Sequence, residues 1–183
     1  MHSNNIRKEK GMLVNLDMAN AFDRVNLSFL YKVLLAFGFL HEFINLIKAC
    51  TNRPWIAPLV NGRPSSYFQE MRGLRQGYPL SPFLYILLAD TLSRKLEKDK
   101  EDGAAPRLRI MKELDPINHA LFSDDSLMLG GASYRIASAF KVTLQDYFIV
   151  SGSFINKRKS VVYSWNVEET EVQKVTRILG FNG

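Results

Sequence analysis

The chain has 183 residues, and its 24 lysines and arginines exceed its 18 aspartates and glutamates by six. Apolar residues make up 46% and charged residues 23% of the sequence, values that exclude a disordered tail, a collagen-like fibre and a low-complexity linker. Cys50 is the only cysteine, which excludes an intrachain disulfide and a cysteine-based zinc site and favours reducing surroundings over secretion.

The first part of the chain predicts a strand, two helices and a hairpin. Residues 12–17 form a short apolar run that ends on an acid, the pattern of a buried strand. Apolar residues at helical spacing predict helices over 27–37 and about 42–51. Residues 55–61 and 67–70 flank an Asn-Gly-Arg-Pro turn and predict the two arms of a hairpin.

The middle of the chain predicts a buried helix and a second hairpin. A loop with two glycines and two prolines covers 73–82, and the mostly apolar residues 83–96 after it predict a buried helix. The many charges of 94–115 are typical of a solvated connection. Apolar arms at 120–122 and 127–129 flank Ser-Asp-Asp-Ser, the pattern of a β-hairpin.

The last part of the chain predicts a helix over 136–150, a strand over 160–163 and a final helix over 168–179. No internal repeat or linker interrupts the sequence, which favours a single unit. The order of these elements predicts an α+β fold with a mainly antiparallel sheet.

Three aspartates stand at the ends of predicted strands. Asp17 ends the first strand, while Asp124 and Asp125 lie between the arms of the second hairpin. An Asp-Asp pair alone is more typical of a solvated turn. If the strands are neighbours, however, the carboxylates converge, which is unfavourable unless a cation compensates. Carboxylate oxygens suit Mg²⁺, and two such ions support in-line displacement of pyrophosphate, so the pattern predicts nucleotidyl transfer.

Four motifs carry a resemblance to a known family. They are Leu-Asp-Met-Ala-Asn-Ala-Phe-Asp-Arg-Val at 16–25, Gly-Leu-Arg-Gln-Gly-Tyr-Pro-Leu-Ser-Pro at 73–82, Phe-Ser-Asp-Asp at 122–125 and Ile-Asn-Lys-Arg-Lys-Ser at 155–160. In this order they resemble the palm motifs of reverse transcriptases from LINE-like (non-LTR) retrotransposons, of the kind abundant in plant genomes. The resemblance implies a polymerase palm with a ferredoxin-like core that adds dNTPs to a DNA primer on an RNA template. It also implies two Mg²⁺ ions as cofactors, with Mn²⁺ as a substitute.

The resemblance assigns the charged residues of the site. Asp17 and Asp124 match the two principal metal ligands, and Asp125 matches a third, looser carboxylate. Lys159 matches a lysine that assists the departing pyrophosphate, although it also fits a solvated basic patch with Lys157 and Arg158.

The resemblance also assigns the nucleotide-facing residues. Phe22 matches the aromatic gate that stacks under the sugar and excludes a 2′-hydroxyl, while its residue type alone favours core packing. Gln76 and Gly77 match the loop over the incoming nucleotide and template. Glycines at 73 and 77 allow a close backbone approach to nucleic acid, or an ordinary turn. Arg75, with Arg72, has the charge to neutralise phosphates.

Three residues depart from the motifs of close relatives. Asn20 stands where relatives usually have Lys, Tyr78 where they have Asp, and Ser123 where they have Ala. None of the three removes a predicted metal ligand. His119, before the second hairpin, is more typical of a structural hydrogen-bonding residue than of a ligand.

The predicted boundaries place a disordered or residual segment at 1–11 and a palm domain at 12–183 that lacks most of the fingers and all of the thumb. The expected partners are therefore an RNA template with its DNA primer and the rest of a longer polyprotein. Alone, the chain is expected to show no processive primer extension.

Two other interpretations stay open. The chain also fits a non-catalytic retroelement remnant that folds and binds nucleic acid weakly, or, less well, an RNA-binding ferredoxin-like module. The sequence pI near 9.5 is compatible with a polyanionic partner in each case. No stretch is apolar enough to suggest a membrane partner, and the resemblance implies an intracellular location in the cytoplasm, the nucleus or both.

Overall fold

The computed structural model of the chain describes residues 10–52, 55–69, 72–103, 117–122 and 125–181. The strands are β1 Gly11–Asp17, β2 Trp55–Ile56, β3 Leu59–Val60, β4 Arg63–Pro64, β5 Phe68–Gln69, β6 His119–Phe122, β7 Asp125–Gly130 and β8 Val161–Trp165. The helices are α1 Leu27–Ala36, α2 His41–Thr51, α3 Ser81–Glu101, α4 Tyr134–Ser151 and α5 Glu169–Leu179.

The centre of the fold is a four-stranded sheet with the order β6-β7-β1-β8. Every neighbouring pair in it is antiparallel. The chain runs from β1 through α3 to the hairpin β6–β7, and then through α4 to β8. This order gives a ferredoxin-like core, and the predicted α+β fold with a mainly antiparallel sheet is confirmed.

One face of this sheet belongs to the hydrophobic core. Successive residues of a strand point to opposite faces, and alternate residues of β1 are fully buried. The core cluster combines these side chains with residues of α3 and α4. Its members include Met12, Val14, Leu16, Leu88, Leu92, Met128 and Phe140.

The opposite face of the sheet, called the open face below, is more accessible. Leu13, Asn15 and Asp17 of β1 lie on it, and all three are half-buried. On the flanking strands the same face presents Phe122, which is 81% exposed, and Tyr163, which is 53% exposed. The open face is therefore where β1 can present polar groups.

The helix α3 corrects one prediction. It begins at Ser81 and continues to Glu101, so the interpretation of 94–101 as a solvated connection is wrong. Its charged half is supported by the ion pairs Arg94–Asp90 and Lys95–Asp99, while Leu96 is fully buried. Charges on one side and leucines on the other make this segment an amphipathic helix. The rest of the predicted connection, 104–116, lies outside the described residues.

The first hairpin is also shorter than predicted. Instead of two continuous arms, β2 pairs with β5 and β3 pairs with β4 as two separate ladders. Pro58 lies between the ladders and has no N–H to donate, although its carbonyl accepts the N–H of Ser65 at 2.8 Å. The other predicted helices and strands are confirmed, with their ends shifted by no more than two residues.

Gly11 belongs to β1 and pairs with Trp165, while the predicted domain boundary at residue 12 stays a prediction. Residues 1–9 lie outside the described residues, so the proposed disordered segment there stays a prediction. In the described part of the chain, no helix combines the length and the apolar character that crossing a bilayer requires.

Candidate active site at the edge of the sheet

Two of the three predicted carboxylates meet on neighbouring strands. Asp17, the last residue of β1, pairs in register with Asp125, the first residue of β7. Directly opposed residues of an antiparallel pair point to the same face and have Cβ atoms about 4.5–5.5 Å apart. The Asp17 side chain is 21% exposed, and Asp125 is exposed. Asp124 and Ser123 lie outside the described residues, and their placement stays a prediction.

The lysine-bearing segment is joined to the end of β1 through the backbone. The N–H of Asn156 donates to the carbonyl of Asp17 at 2.9 Å, and the N–H of Asp17 donates to Ser160 Oγ at 3.1 Å. Ser160 Oγ in turn donates to the carbonyl of Asn156 at 2.9 Å. These bonds bring Lys159 Nζ to 3.7 Å from Asp17 Oδ2, while the lysine side chain remains 70% exposed.

The glycine-rich loop packs against the turn that follows β1. The N–H of Gly73 donates to the carbonyl of Val25 at 3.0 Å, and the N–H of Leu74 donates to the carbonyl of Phe22 at 2.7 Å. Gln76 Nε2 adds a bond of 3.1 Å to Asp23 Oδ1. The motif at 73–82 is therefore fixed to the first motif over several residues.

The two glycines of this loop are required for different reasons. Gly73 is buried at φ +95°, and a Cβ there would lie 2.6 Å from the carbonyl oxygen of Asp23. Its close backbone approach is thus to the protein itself, which differs from the predicted approach to nucleic acid. Gly77 has φ +81° with no described atom within 4 Å of a Cβ, so only its backbone conformation favours glycine.

A cavity of about 690 Å³ lies between these segments. It is lined by residues 17–22, 76–79, 81–82, 156 and 159. Among the predicted site residues it brings together Asp17, Phe22, Gln76, Gly77 and Lys159. Two described site residues are not part of its lining: Arg75 lines a neighbouring groove, and Asp125 lies beside Asp17 on β7.

Phe22 takes part in both the core and the cavity wall. Its ring stacks on Tyr85 of α3, with centroids 4.9 Å apart and planes 28° apart. It is half-buried and packs against the core cluster, yet it also lines the cavity. The sequence alternatives of core packing and a nucleotide gate are therefore compatible with one another.

Two of the three motif departures lie in the cavity wall. Asn20 has φ +49°, a left-handed conformation that asparagine tolerates better than most residues. Tyr78 is 41% exposed, and its ring centroid lies 5.7 Å from the guanidinium carbon of Arg75. The aromatic side chain at 78 thus has a partner within its own loop.

Several positioning residues were missed from the sequence. Asn156 and Ser160 anchor the lysine segment, and Ser81, only 4% exposed, donates from Oγ to the carbonyl of Arg75 at 2.6 Å. All three lie inside the quoted motifs. Their small polar side chains, within the motifs, were the only hint in the sequence of a positioning role. The backbone atoms to which they bond become known only from the folded structure.

This edge of the sheet offers carboxylate oxygens to a divalent cation. Among the described residues, no group of three or more His, Cys, Asp and Glu lies close enough to hold a metal ion. The described donors are the carboxylates of Asp17 and Asp125, hard oxygen ligands of the kind Mg²⁺ prefers. Two carboxylates are compatible with Mg²⁺, which completes its octahedron with water and phosphate oxygens.

His119 lies on the core side of β6, not in the cavity. Asn118 donates from Nδ2 to the carbonyl of Leu96 at 2.8 Å, so its Oδ1 accepts from His119 Nδ1 at 2.6 Å. His119 Nε2 then accepts from the hydroxyl of Ser93 at 2.6 Å. Burial lowers the pKa of the His119 imidazole below its ordinary value. These contacts agree with the expected structural role.

Comparison with known proteins gives one family and several relatives. The family described as "Reverse transcriptase (RNA-dependent DNA polymerase)" matches residues 1–182. An uncharacterized mitochondrial protein of Arabidopsis thaliana is 43% identical over 68 residues, which cover 37% of this chain and 56% of that protein. The Pol polyprotein of a type-1 R2 retrotransposable element from Popillia japonica is 28% identical over 161 residues, covering 86% of this chain and 25% of the polyprotein.

A solved structure shares the fold. The apo telomerase of Candida tropicalis, truncated from its C-terminal domain, superposes with a TM-score of 0.62 at 16% identity. The match covers 90% of this chain and 32% of the telomerase chain. The chain thus spans less than two thirds of the length of each of these proteins.

Proposed function

Because the chain belongs to the reverse transcriptase (RNA-dependent DNA polymerase) family, we propose that the edge of its sheet is a centre for nucleotidyl transfer. The proposed reaction adds dNTPs to a DNA primer on an RNA template. One observation supports it above the others: Asp17, Phe22, Gln76 and Lys159 come from three separate motifs and line one cavity, beside the Asp17–Asp125 pair.

We also propose that residues 12–183 act as the palm of a longer polymerase. The R2 Pol polyprotein, of which this chain covers 25%, is an example of such a longer chain. Its additional regions are the proposed source of further contacts to template and primer.

In the proposed reaction the carboxylates of Asp17 and Asp125, with Asp124, would hold two Mg²⁺ ions or their Mn²⁺ substitutes. When bound, the ions lower the barrier to attack by the primer hydroxyl and offset charge on the departing pyrophosphate. The exposed Lys159 ammonium is free to turn from Asp17 toward that pyrophosphate and donate a proton to its oxygen.

The cavity wall supplies the proposed binding contacts. The half-buried ring of Phe22, supported by Tyr85, would lie under the sugar and leave no space for a 2′-hydroxyl. Gln76 and Gly77 would lie over the base of the incoming nucleotide. Positioning of this kind contributes to rate because it removes the entropic cost of aligning the reacting atoms.

Thermal unfolding with Mg²⁺ and then Mn²⁺ tests the metal site without depending on regions outside this chain. For a Kd of about 1 mM, a metal concentration of about 10 mM stabilises the folded chain by roughly 1.4 kcal/mol. The variant Asp17→Asn is expected to lose this gain. Asp146→Asn, at an exposed position of α4 away from the cavity, is the matched control and is expected to keep it.

The absence of a metal-dependent shift in the unchanged chain would contradict the proposal. The non-catalytic remnant would then be the better interpretation. An equal shift in the Asp17→Asn variant would also contradict it, because the metal would be bound elsewhere.

A further inference from the structure

A groove of about 490 Å³ runs between α3 and β6, an outer strand of the sheet. It is lined by Tyr85, Ile86, Ala89, Asp90 and Ser93 of α3 and by residues 119–121 of β6. None of these residues lines the proposed nucleotide site. An activity of this groove therefore does not depend on the proposed function.

Ser93 and His119 form a hydrogen-bonded pair across this groove. Ser93 Oγ lies 2.6 Å from His119 Nε2, and His119 Nδ1 lies 2.6 Å from Asn118 Oδ1. Asn118 Nδ2 donates to the carbonyl of Leu96 at 2.8 Å, which fixes the orientation of the amide. In the neutral imidazole the proton is therefore on Nδ1, and Nε2 accepts the hydroxyl proton of Ser93.

This order of bonds is the one that a nucleophilic serine requires. A base within hydrogen-bond reach takes the hydroxyl proton, and a third group holds the base in the correct tautomer. Burial lowers the pKa of the His119 imidazole, so the ring is neutral and able to accept a proton at pH 7. Glu97 and Lys100 of α3 are the charged groups that act on this ring, and their effects are opposite in sign.

The serine and its base are accessible from the groove. Both side chains are half-buried and line the cavity, whereas Asn118 behind them is only 1% exposed. A hydrogen bond that only joins α3 to β6 needs no open space beside it. Here the space lies next to Ser93 Oγ, so a ligand carbonyl can approach it.

The outer edge of β6 adds backbone donors to the same groove. Leu129 donates its N–H to the carbonyl of Asn118 at 2.8 Å, which makes these two a hydrogen-bonded pair of the β6–β7 ladder. Such pairs alternate along antiparallel strands, so His119 and Leu121 direct their N–H groups away from β7. Leu121 lines the groove, where its N–H can stabilise a carbonyl oxygen that becomes negatively charged.

The lining favours an uncharged substrate. Ile86, Ala89 and Leu121 contribute apolar surface. The carboxylate of Asp90 is offset by Arg94, whose Nε lies 2.6 Å from Asp90 Oδ2. The lining residues therefore present no unpaired charge to a ligand, and their apolar side chains suit an alkyl chain.

We propose that Ser93 is an activated nucleophile that hydrolyses uncharged carboxylic esters through an acyl-enzyme. Ser93 Oγ attacks the ester carbonyl carbon as its proton passes to His119 Nε2. The bond from that carbon to the alcohol oxygen then breaks, and the alcohol leaves with the proton from Nε2. Water gives a proton to the same nitrogen as it attacks the acyl-serine. The carboxylic acid is released, and Nε2 returns the proton to Ser93 Oγ.

The test treats the full chain with a fluorophosphonate, which phosphonylates activated serines with loss of fluoride, and locates the label by peptide mass spectrometry. Label is expected on Ser93 and is expected to be lost in Ser93→Ala. General-base catalysis contributes about 10²–10⁴-fold, so His119→Gln is expected to slow labelling by at least about 100-fold. Thr91→Ala, which removes a hydroxyl of α3 that donates to the carbonyl of Leu88, is the matched control and is expected to keep the rate.

Two further readouts separate an activated serine from a structural one. The labelling rate is expected to level off above the pKa of His119, which lies below the ordinary value of 6.5, whereas labelling without this base continues to rise at higher pH. Turnover is measured with p-nitrophenyl butyrate. The unchanged chain is expected to hydrolyse it faster than Ser93→Ala, which retains the same lysines and histidines.

Label on several hydroxyls or lysines in place of Ser93 would overturn the proposal. So would an unchanged labelling rate in His119→Gln, or ester hydrolysis that Ser93→Ala retains in full. In each of these cases the bonds among Ser93, His119 and Asn118 only join α3 to β6. The labelled position and the pH profile are measured on the unchanged chain, so neither requires a variant to fold.

Discussion

The two faces of the four-stranded sheet receive different side chains from the same strand, β1. Toward the core, β1 presents Met12, Val14 and Leu16, which are fully buried. Toward the open face it presents Leu13, Asn15 and Asp17, which are half-buried. Because side chains alternate along a strand, one segment of seven residues supplies both the packing and the first carboxylate of the site. Stability and chemistry are thus assigned to alternate positions of β1.

The largest expected effect comes from emptying the core face. Leu16→Ala removes a fully buried side chain and is expected to lower the free energy of unfolding by about 2–5 kcal/mol. Leu13→Ala, three positions earlier on the open face, is expected to cost about 1 kcal/mol, since its side chain is only partly removed from water. Urea denaturation measures both values. Equal losses at the two positions would contradict the division between the faces.

The next largest effect is the pH dependence of folding stability that His119, on the core side of β6, is expected to cause. Since burial lowers the pKa of His119 in the folded chain, the unfolded chain binds more protons once the pH falls through the ordinary value of 6.5. Stability is therefore complete above that pH and decreases below it, by at most about 1.4 kcal/mol per pH unit.

Replacing the histidine tests this expectation. His119→Gln is expected to remove that part of the pH dependence, and His41→Gln, at an exposed position of α2, is expected to retain it. Denaturation midpoints between about pH 7.5 and pH 5.5 measure the slope. An unchanged slope in His119→Gln would show that another group is responsible.

The smallest effect concerns the open face. Lys159 lies 3.7 Å from Asp17 Oδ2 and competes there with any cation. An exposed ion pair contributes about 0.2–1 kcal/mol, so Lys159→Met is expected to tighten Mg²⁺ binding about 1.5- to 5-fold. Lys157→Met, an exposed neighbour on the same segment, is the control and is expected to have less effect. Weaker Mg²⁺ binding in Lys159→Met would contradict the expectation that the lysine competes with the metal for Asp17.

Much of the fold could be predicted because local patterns agree with the tertiary structure. The alternation in 12–17 and the helical spacing in 136–150 describe elements that bury one side, so the periodicity carries the information. The charged half of α3 was misread because its apolar contacts, such as Leu96, are few per turn. The hairpin is split at Pro58, which has no N–H to donate to a neighbouring strand. Whether a proline interrupts the pairing depends on which residue lies opposite, and the sequence alone does not give that residue.

The sequence motifs were sufficient to predict which residues belong to the candidate site. Motif order identified Asp17, Phe22, Gln76 and Lys159, and the fold brings all four to one cavity. Motifs do not state distances, so the contact of Gly73 with the backbone of Asp23 could not be predicted.

The bonds between the glycine-rich loop and the turn after β1 have a consequence for how this protein can vary. Asp23 meets the loop twice, through its side chain to Gln76 and through its carbonyl beside Gly73. Substitutions at such touching positions are not independent, and their energies do not add. The carbonyl contact is kept by any residue at 23, whereas the side-chain bond needs both Asp23 and Gln76, so substitutions at these two positions, 53 residues apart in sequence, are expected to be coupled.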